Sequence, residues 1–426
     1  MHGWLNRVGL VAVVAAGLLL NLGSGGGEDR TKAHVRLVNA SGSYPALALK
    51  VGDDNVTGSA AYGESAAYAD VDPGSRTADV SRPGSATLLS SSTVSVSRGD
   101  YYSVLAFDKA GTLGTLLLDE NTGQPDSGRA LVRVVNAAAD AGSLDVYVTG
   151  SGETLNESTP LQAAAAYGSL GAFATLNSGS WRLRVTAAGS KTDLRLDVPA
   201  VAFDSRSVAT LVLTPGAGGV LVNALVVVQE GGIAKAANPQ ARVRVVGGVS
   251  GGAAVSASVS GTALMSAVPA PSLTGYTLVA AGAAAVAASA DGVAAALTSA
   301  PLAGGGDYTL LVYGSPAAPQ AVMLADDNTL PLVSTQARLR LVNGLADTAV
   351  AAAMRLDFVA VAEGVAQGTG SAYANVDNTT SAQLDVSVGA STIVSVTDRD
   401  LLANSAYTLF VVGPAGSATG ILRKDR

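Results

Sequence analysis

Few side chains in this sequence could carry acid–base or nucleophilic chemistry. The chain has two histidines, His2 and His34, and no cysteine, so thiol nucleophiles, cysteine–metal sites and disulfides are excluded. A Ser-His-Asp site would place a nucleophile beside His34. The equivalent position in the three later repeats defined below is Leu131, Arg242 or Arg338, so it is not a repeated catalytic position. We expect His34 to be a solvent-facing strand residue.

Three pairs of adjacent carboxylates are the next candidates, namely Asp53-Asp54, Asp119-Glu120 and Asp326-Asp327. Two carboxylates that flank a glycosidic bond are the apparatus of most glycoside hydrolases. Neighbouring residues of a strand point to opposite faces of the sheet, and acids in an exposed loop are usually solvated. The pairs therefore do not predict catalysis, and we expect no catalytic residues.

Some of these acids lie in two oxygen-rich stretches, "LLLDENTGQPD" and "VMLADDNTLP", which end the first and third repeats. Calcium prefers carboxylate and amide oxygens, and an ion there would rigidify the joint to the next repeat. No glutamate closes either stretch as it would in an EF-hand, so a plain polar linker is the alternative. No cofactor other than calcium is expected. The candidate calcium ligands are Asp119, Asn121, Asp126, Asp326, Asp327 and Asn328.

The elements that must position these side chains are β-strands. Hydrophobic residues make up 48% of the 426-residue chain and aromatic residues only 4%, so alanine, valine and leucine supply most of the apolar mass. Stretches rich in valine, threonine and serine, separated by glycine and other turn residues, are typical of all-β proteins. The formal net charge is −7 without a block of basic residues, so nucleic acid is not an expected partner.

Four segments of the chain open alike, with "AHVRLVNAS", "ALVRVVNAAAD", "ARVRVVGGVS" and "ARLRLVNGLAD". An alternating stretch that meets Asn or Gly predicts a strand followed by a turn, and its recurrence indicates tandem domains. The aligned arginines, 97, 111 and 96 residues apart, are Arg36, Arg133, Arg244 and Arg340. The predicted divisions are a signal segment with its tether at 1–32 and four units at 33–128, 129–240, 241–336 and 337–426.

A second landmark recurs late in the units. A closing strand begins at Tyr102, Tyr308 and Tyr407, and Ala209 takes that position in unit two. Each unit also has several short alternating stretches, which predicts an all-β fold of tandem immunoglobulin-like sandwiches of about 100 residues. The recurring tyrosine is predicted to tie a loop to its strand, as in a tyrosine corner. Trp181 lies on the apolar side of a hairpin, so we expect it to pack in the core.

Three local predictions concern surfaces and joints. The opener arginines alternate with core residues, so we expect them to face outwards or to pair across strands, with Asp145 and Asp357 as partners. The alanine-rich stretch Ala280–Ala300 has the composition of a helix, but the repeat register predicts strands there. The three linkers between units are short and contain proline, which favours a semi-extended string of domains.

The N-terminal segment has the layout of an export signal. Met1–Arg7 carries one basic side chain, and the apolar run Val8–Leu20 is too short for a comfortable membrane span of about 20 residues. Ser24 stands where a bacterial lipoprotein carries its lipid-bearing cysteine, ahead of the tether Gly25–Gly27. We expect a periplasmic, outer-membrane-associated or extracellular protein with no membrane span in the mature chain. Retention of the segment as an anchor is the alternative.

The stretch "VRVVNAAADAGSLDVYVTG" (Val132–Gly150) resembles a bacterial family, the domain of unknown function numbered 4397. That family has an opening strand with a short Asn-Ala or His-Ala turn, a "DVYV"-like strand, and a later Gly-Ser-aromatic hairpin, matched here by "GSWRLRVTAAGS". Unit two carries the resemblance best, and unit three keeps only the opener and the closing strand. The resemblance implies exported, often lipid-anchored, tandem β-sandwich domains and implies no reaction.

These observations favour a non-enzymatic interaction or adhesion protein of the cell envelope or the secreted fraction, with an envelope protein or glycan as its partner. Tandem domains can hold a binding surface away from the cell and add avidity. The second hypothesis is a glycan- or peptidoglycan-binding module, and the third is a hydrolase. Exposed aromatic rings clustered with polar loop residues would favour the second. Close carboxylates in a concave pocket would favour the third.

Overall fold

The computed structural model describes residues 29–347 and 351–426. The predicted export signal, Ser24 and the glycine tether lie outside the described residues. In the part of the chain that the structure describes, no helix is long and apolar enough to cross a membrane.

The described chain is built from β-strands, with short 3₁₀ turns at Leu155–Glu157, Ser250–Gly252 and Ala415–Ser417. Unit one contains β1 Ala33–Asn39, β2 Ala46–Val51, β3 Asp54–Ala61, β4 Ala69–Val71, β5 Gly74–Ser81, β6 Leu88–Val96, β7 Tyr101–Lys109 and β8 Thr112–Asp119. Unit two contains β9 Arg129–Asn136, β10 Leu144–Thr149, β11 Gln162–Ala165, β12 Ala174–Asn177, β13 Gly179–Ala187, β14 Leu194–Phe203, β15 Val208–Pro215, β16 Val222–Val228 and β17 Ile233–Ala236.

The second half repeats this order. Unit three contains β18 Gln240–Gly247, β19 Ala254–Val259, β20 Thr262–Pro269, β21 Ser272–Leu273, β22 Thr277–Ala280, β23 Val286–Ala290, β24 Val293–Ala294, β25 Ala296–Thr298, β26 Asp307–Ser315 and β27 Ala318–Asp326. Unit four contains β28 Gln336–Leu345, β29 Ala352–Leu356, β30 Val359–Val365, β31 Thr369–Gly370, β32 Ala374–Asp377, β33 Thr379–Val388, β34 Ser391–Leu401, β35 Ser405–Gly413 and β36 Thr419–Lys424.

Each unit is a sandwich of two sheets, which confirms the predicted all-β class. The opener sheet contains the arginine strand, in the orders β4-β1-β7-β8, β12-β9-β15-β16-β17, β21-β18-β26-β27-β25 and β31-β28-β35-β36. The outer sheet has four strands in every unit, in the orders β3-β2-β5-β6, β11-β10-β13-β14, β20-β19-β23-β24 and β30-β29-β33-β34. Apolar residues that alternate along the facing strands form one core between the two sheets of each unit.

Inside every opener sheet the arginine strand runs parallel to the closing strand. The register of β1 and β7 places Arg36 opposite Ser103, and the other units place Thr210, Thr309 and Thr408 opposite their arginines. Both faces of these central strands are buried, and all seven residues of β1 are buried. A strand covered on both faces must have neighbours on both sides, so the opener sheet contacts something beyond its own unit.

The alanine-rich stretch Ala280–Ala300 forms strands, as the repeat register predicts. It holds β23, β24 and β25, and Asp291 and Gly292 turn the chain between the first two with φ of 47° and 82°. Positive φ at both central residues is the backbone of a type I′ hairpin, which glycine and aspartate adopt readily.

The predicted tyrosine corner is present in the three units that have the tyrosine. The hydroxyl of Tyr102 accepts a hydrogen bond from the backbone N–H of Ser97 at 3.2 Å. The equivalent hydrogen bond, also between residues five apart, joins the N–H of Ala303 to Tyr308 at 2.7 Å and that of Leu402 to Tyr407 at 2.9 Å. The tyrosine thus holds the turn before the closing strand, as predicted.

The expectation of a semi-extended string of domains is wrong. One apolar core joins units one and two, with Val38, Leu105, Val135 and Val212 among its members. Another joins units three and four through residues such as Val246, Leu311, Val342 and Phe410. Full burial of each such side chain stabilises the contact by about 1.5–3 kcal/mol. The short linkers therefore join units that pack in pairs.

The two pairs meet where glycine loops of units two and three come together. The N–H of Gly218 donates to the carbonyl of Gly305 at 2.9 Å, and the N–H of Asn328 donates to the carbonyl of Gly218 at 3.0 Å. A Cβ atom on Gly218 would lie 2.5 Å from the Cγ of Asp307, and one on Gly216 would lie 2.8 Å from the carbonyl of Gly305. Only glycine lets the backbones approach this closely.

Candidate functional site

The four opener arginines are buried, so the first alternative, that they face solvent, is wrong. The second alternative, that they pair across strands, is confirmed by their bonds to the closing strand. Their exposed fractions are 2%, 9%, 1% and 3% for Arg36, Arg133, Arg244 and Arg340. Strand alternation does place them on the face opposite their own core, as predicted: Leu37 belongs to the core of unit one, whereas Val38, on the face of Arg36, belongs to the core shared with unit two. The neighbouring unit covers that face.

The predicted partners of these arginines are also wrong. The Asp145 carboxylate accepts hydrogen bonds from the N–H groups of Ala164 at 2.7 Å and Gly189 at 2.9 Å. Asp357 accepts one from the N–H of Gln383 at 2.9 Å. Both aspartates therefore brace turns of their own outer sheets.

A hydroxyl group and an aromatic ring accompany every opener arginine. Each Nε donates to the hydroxyl opposite it on the closing strand, at 2.7 Å for Ser103, 3.0 Å for Thr210, 2.8 Å for Thr309 and 3.1 Å for Thr408. Each guanidinium lies over a ring 4.4–4.7 Å from its centroid, a cation–π geometry. The rings belong to Tyr68, Phe173, Tyr276 and Tyr373.

An acid completes three of these arginine clusters. It directly follows the residue that pairs with the corner tyrosine across the neighbouring strand, and it is Glu120, Asp326 or Asp425. In unit two, Gln229 follows Val228, the partner of Ala209. Each acid stands 18 residues after its corner tyrosine. That spacing is the sequence signal for these acids, of which only Asp326 is among the predicted calcium ligands.

In the first pair, Arg36 binds the acid of its own unit. Its Nη2 donates to Glu120 Oε1 at 2.7 Å and to the carbonyl of Val228 at 2.9 Å, and its Nη1 donates to the carbonyl of Gly231. The hydroxyl of Tyr68 donates to the second oxygen of Glu120. One guanidinium thus joins a carboxylate of unit one to two carbonyls of unit two.

In the second pair the acids are exchanged between units. Arg244 of unit three binds Asp425 of unit four, and Arg340 of unit four binds Asp326 of unit three. Arg244 also lies 3.5 Å from Asp326, which accepts hydrogen bonds from Thr309 and Tyr276 at 2.6 Å each. Units three and four therefore cannot separate without exposing or orphaning buried charges.

These contacts set the acidity of the buried groups. Burial raises the pKa of Asp326, but Arg340 and Arg244 more than offset it and hold that pKa below its usual value. Burial, together with the nearby Asp326 carboxylate, raises the pKa of Tyr276, so its hydroxyl remains a donor. In unit two, where Gln229 replaces the acid, burial lowers the pKa of Arg133. Arg133 donates instead to the carbonyl of Asp119 at 3.0 Å.

The predicted calcium ligands of the second loop are directed to different partners. Asp326 is enclosed by arginines, Asp327 accepts from Arg338 Nη2 at 2.8 Å, and the Asn328 amide donates to Asp307 at 2.8 Å. Calcium binds through six to eight oxygens that converge on one point. Among the described residues, no group of three or more histidine and acidic side chains is arranged to hold a metal.

In the first loop, Asp119 Oδ1 accepts from the N–H and the amide of Asn121 at 2.8 and 2.7 Å. Asn121 also accepts from the N–H of Tyr101 at 2.9 Å, and the carbonyl of Asp126 accepts from the N–H of Arg129 at 3.0 Å. Asp119 and Asn121 are brought together, whereas Asp126 contacts the next opener. Calcium at this loop stays a prediction.

His34 is buried, with 6% of its surface exposed, so its predicted solvent-facing position is wrong. Its Nδ1 lies 2.9 Å from Asp70 Oδ1, across the pairing of β1 with β4, and its ring stacks on Tyr101 with centroids 4.5 Å apart. The pair is a cross-strand contact at the edge of unit one. Trp181 is half-buried against the core of unit two, as predicted, and its Nε1 donates to the carbonyl of Asn177 at 2.9 Å.

Fold and clusters together define a protein of tandem β-sandwich units that pair through buried arginines. The model of the family described as "Domain of unknown function (DUF4397)" matches residues 33–147 and 241–353, and the chain belongs to this family. Each match covers one unit and continues into the arginine strand of the next. The resemblance is therefore carried by units one and three and by the openers of their partners, not chiefly by unit two as predicted.

No curated protein matches the chain. The solved structures that are similar to this chain include the following two. A proposed cell adhesion protein from Bacteroides uniformis is 13% identical over 47% of this chain and 99% of its own, with a TM-score of 0.22. The Bacillus anthracis TIE protein is 10% identical over 87% of this chain and 67% of its own, with a TM-score of 0.14. At these values neither similarity carries an argument about function.

Proposed function

We propose that this chain is an exported, non-enzymatic interaction protein of the adhesion type, located at the cell envelope or secreted. The observation that carries the proposal is the use of the opener arginines. They are the charged group that every unit repeats, and each one binds its neighbouring unit or shares the buried interface with it. Side chains that could have formed a repeated reaction site thus serve to join domains.

Two of the three carboxylate pairs support the same proposal. Asp119 binds Asn121 while Glu120 binds Arg36, and Asp326 binds Arg340 while Asp327 binds Arg338. A glycosidase needs its two carboxylates to face one substrate, and these neighbours face different partners.

Export is proposed from the sequence of the N-terminal segment. Val8–Leu20 has the length and composition of a signal-peptide core, and Ser24 offers no thiol for a thioether-linked lipid. We place the protein in the periplasm, at the outer membrane or outside the cell. There, units held at fixed spacing by buried interfaces would present several surfaces to an envelope protein or glycan and bind with avidity.

The test has two arms. The full chain is expressed in a bacterium with an envelope, and cells are fractionated and probed with an antibody against the folded protein. We expect a product shortened by the N-terminal segment in the envelope or the medium. The purified protein should then bind isolated envelopes saturably. Full-length protein in the cytosol, or the absence of saturable binding, would contradict the proposal.

Glycan binding is the second candidate, and one observation favours it. A cleft where unit one, unit two and the linker between units three and four converge is lined by the rings of Tyr44 and Tyr62 and by polar loop residues. Aromatic rings with a few convergent polar groups are common in ligand sites.

A further inference from the structure

This cleft, which we call the junction cleft, has a volume of about 690 Å³. Unit one contributes Tyr44, Tyr62 and Asp108, and unit two contributes Asp140 and Asn223. The third wall is the segment Thr329–Leu332, in which Thr329, Leu330 and Leu332 line the cleft. Its volume is in the range of small-molecule sites, about 300–1,000 Å³. The cleft exists because the units are packed together, so the sequence alone gave no sign of it.

Hydrogen bonds fix the walls of the cleft relative to one another. The Tyr62 hydroxyl lies 2.8 Å from Thr214 Oγ1, which joins unit one to unit two. The N–H of Leu330 donates to Asp140 Oδ2 at 3.0 Å, which joins the linker to unit two. The Asp108 carboxylate accepts from the N–H of Gly42 at 2.9 Å and so shapes the unit-one rim. A cleft with its walls bonded in this way is formed before a ligand arrives, which lowers the entropy cost of binding.

The chemistry of the lining selects the class of ligand. No lysine, arginine or histidine of the described residues lines the cleft, whereas Asp108 and Asp140 do. Arg426 interacts electrostatically with Asp140 but does not line the cleft. Two carboxylates disfavour anionic ligands. Carboxylate, amide and hydroxyl groups exchange hydrogen bonds with hydroxyl groups, and tyrosine rings offer apolar contact area with a polar end.

We propose that the junction cleft binds a neutral saccharide. The polar groups of Asn223 and Thr329 and the two carboxylates would meet the sugar hydroxyls, and Tyr44, Tyr62 and Leu332 would contact its apolar surfaces. The inference deepens the proposed function and rests on it, because it names a glycan as the envelope component that the protein contacts.

The test uses the purified full chain on a printed array of neutral and acidic oligosaccharides, followed by calorimetry with the best neutral one. Ala217→Trp fills the cleft from an exposed position in its wall. Ala86→Trp is the matched control, because Ala86 is also an exposed alanine and lines a separate groove on unit one. Ser43→Trp blocks the opposite wall and serves if Ala217→Trp lowers the unfolding midpoint.

We expect neutral oligosaccharides to bind and acidic ones not to bind. Either blocking variant should raise the dissociation constant at least tenfold, whereas Ala86→Trp should bind as the native chain does. The inference is overturned if no neutral saccharide binds, if acidic saccharides bind preferentially, or if both blocking variants bind normally. Saturable envelope binding that the blocking variants leave intact would overturn the saccharide cleft and leave the proposed function standing. If the native chain itself does not bind envelopes saturably, that result would instead contradict the proposed function.

Discussion

The two halves of the molecule neutralise their equivalent buried arginines in different ways. In units one and two, Arg36 binds Glu120 of its own unit, and the partner unit supplies carbonyl oxygens. In units three and four, each arginine binds the acid of the other unit. A buried guanidinium requires a partner, but the partner can come from either side of the interface. The first pair therefore joins through polar backbone, and the second joins through charge.

Unit two shows how the cluster changes when its acid is absent. Gln229 replaces the acid, and its side chain binds the N–H and carbonyl of Thr122 at 3.2 and 2.8 Å. Phe173 replaces the tyrosine whose hydroxyl binds the acid in units one and three. Unit two thus lacks both the carboxylate that would accept the hydrogen bond and the tyrosine hydroxyl that would donate it. No buried phenol is therefore left without an acid as its acceptor.

The substitution with the largest expected loss of stability should distinguish the two halves most clearly. Asp326→Asn removes the carboxylate that Arg340 binds and that Arg244 approaches, and the loss of one partner of a buried ion pair costs about 3–5 kcal/mol. Glu120→Gln leaves Arg36 bonded to Ser103 and two carbonyls, so it should cost about 1–3 kcal/mol.

Urea unfolding followed by two probes would check this difference. Trp181 fluorescence reports the half that contains unit two, and circular dichroism reports all sheets. Asp326→Asn should lower the midpoint seen by circular dichroism more than the midpoint seen by fluorescence. If both variants lowered the free energy of unfolding equally, the two halves would not differ in how strongly they depend on the acid.

The pH dependence of the second half should follow the Asp326 carboxylate. Its pKa is lower in the folded protein than the ordinary value of 3.8, so its stabilisation is present above pH 3.8 and is lost as the pH falls further. Burial raises the pKa of Asp307, which acts in the opposite direction. The difference in free energy of unfolding between the native chain and Asp326→Asn contains the Asp326 contribution and only that part of the Asp307 contribution that the Asp326 charge causes. That difference should shrink below about pH 4, and a difference that grows would contradict the assignment.

A smaller effect concerns the contact between the halves. Gly218→Ala would place its Cβ 2.5 Å from the backbone nitrogen of Asp307, and such overpacking costs about 1–3 kcal/mol. Gly275→Ala is the matched control, because nothing lies within 4 Å of its Cβ and its φ is not positive. Small-angle scattering should show a larger radius of gyration for Gly218→Ala alone. An unchanged radius would mean that this contact does not hold the halves together.

The smallest expected effect is a gain in the stability of unit two. Gln229→Glu with Phe173→Tyr would give Arg133 the acid and phenol that the other clusters have. A charged hydrogen bond is worth about 1.5–3 kcal/mol and the lost amide bond to Thr122 about 1 kcal/mol, so unit two should gain about 1 kcal/mol. The midpoint of Trp181 fluorescence should rise. A fall would show that unit two cannot adopt the geometry of the other clusters.

The repeat pattern allowed much of the fold to be predicted. The openers, the corner tyrosines and the strands in Ala280–Ala300 follow from local alternation and from the spacing of landmarks. Strand alternation also placed Arg36 correctly on the face opposite its own core. Alternation gives the face of a residue, but it does not say whether water or another domain covers that face.

The paired packing, the exchanged ion pairs and the junction cleft could not be predicted for this reason. Each depends on contacts between units about 100 residues apart, and polar residues on a covered face look the same in sequence as those on a solvated one. The spacing of the acids from the corner tyrosines is the signal that would have identified Glu120, Asp326 and Asp425 as repeated. The change from an acid to Gln229 in unit two hid it.

The most direct test of the account is a double-mutant cycle across the boundary of units three and four. Arg244→Met, Asp425→Asn and the double variant are unfolded in urea alongside the native chain. Because the two side chains form an ion pair between units, the account predicts a coupling energy of about 1.5–3 kcal/mol. Additive costs within about 0.5 kcal/mol would contradict the claim that the opener arginines join the units.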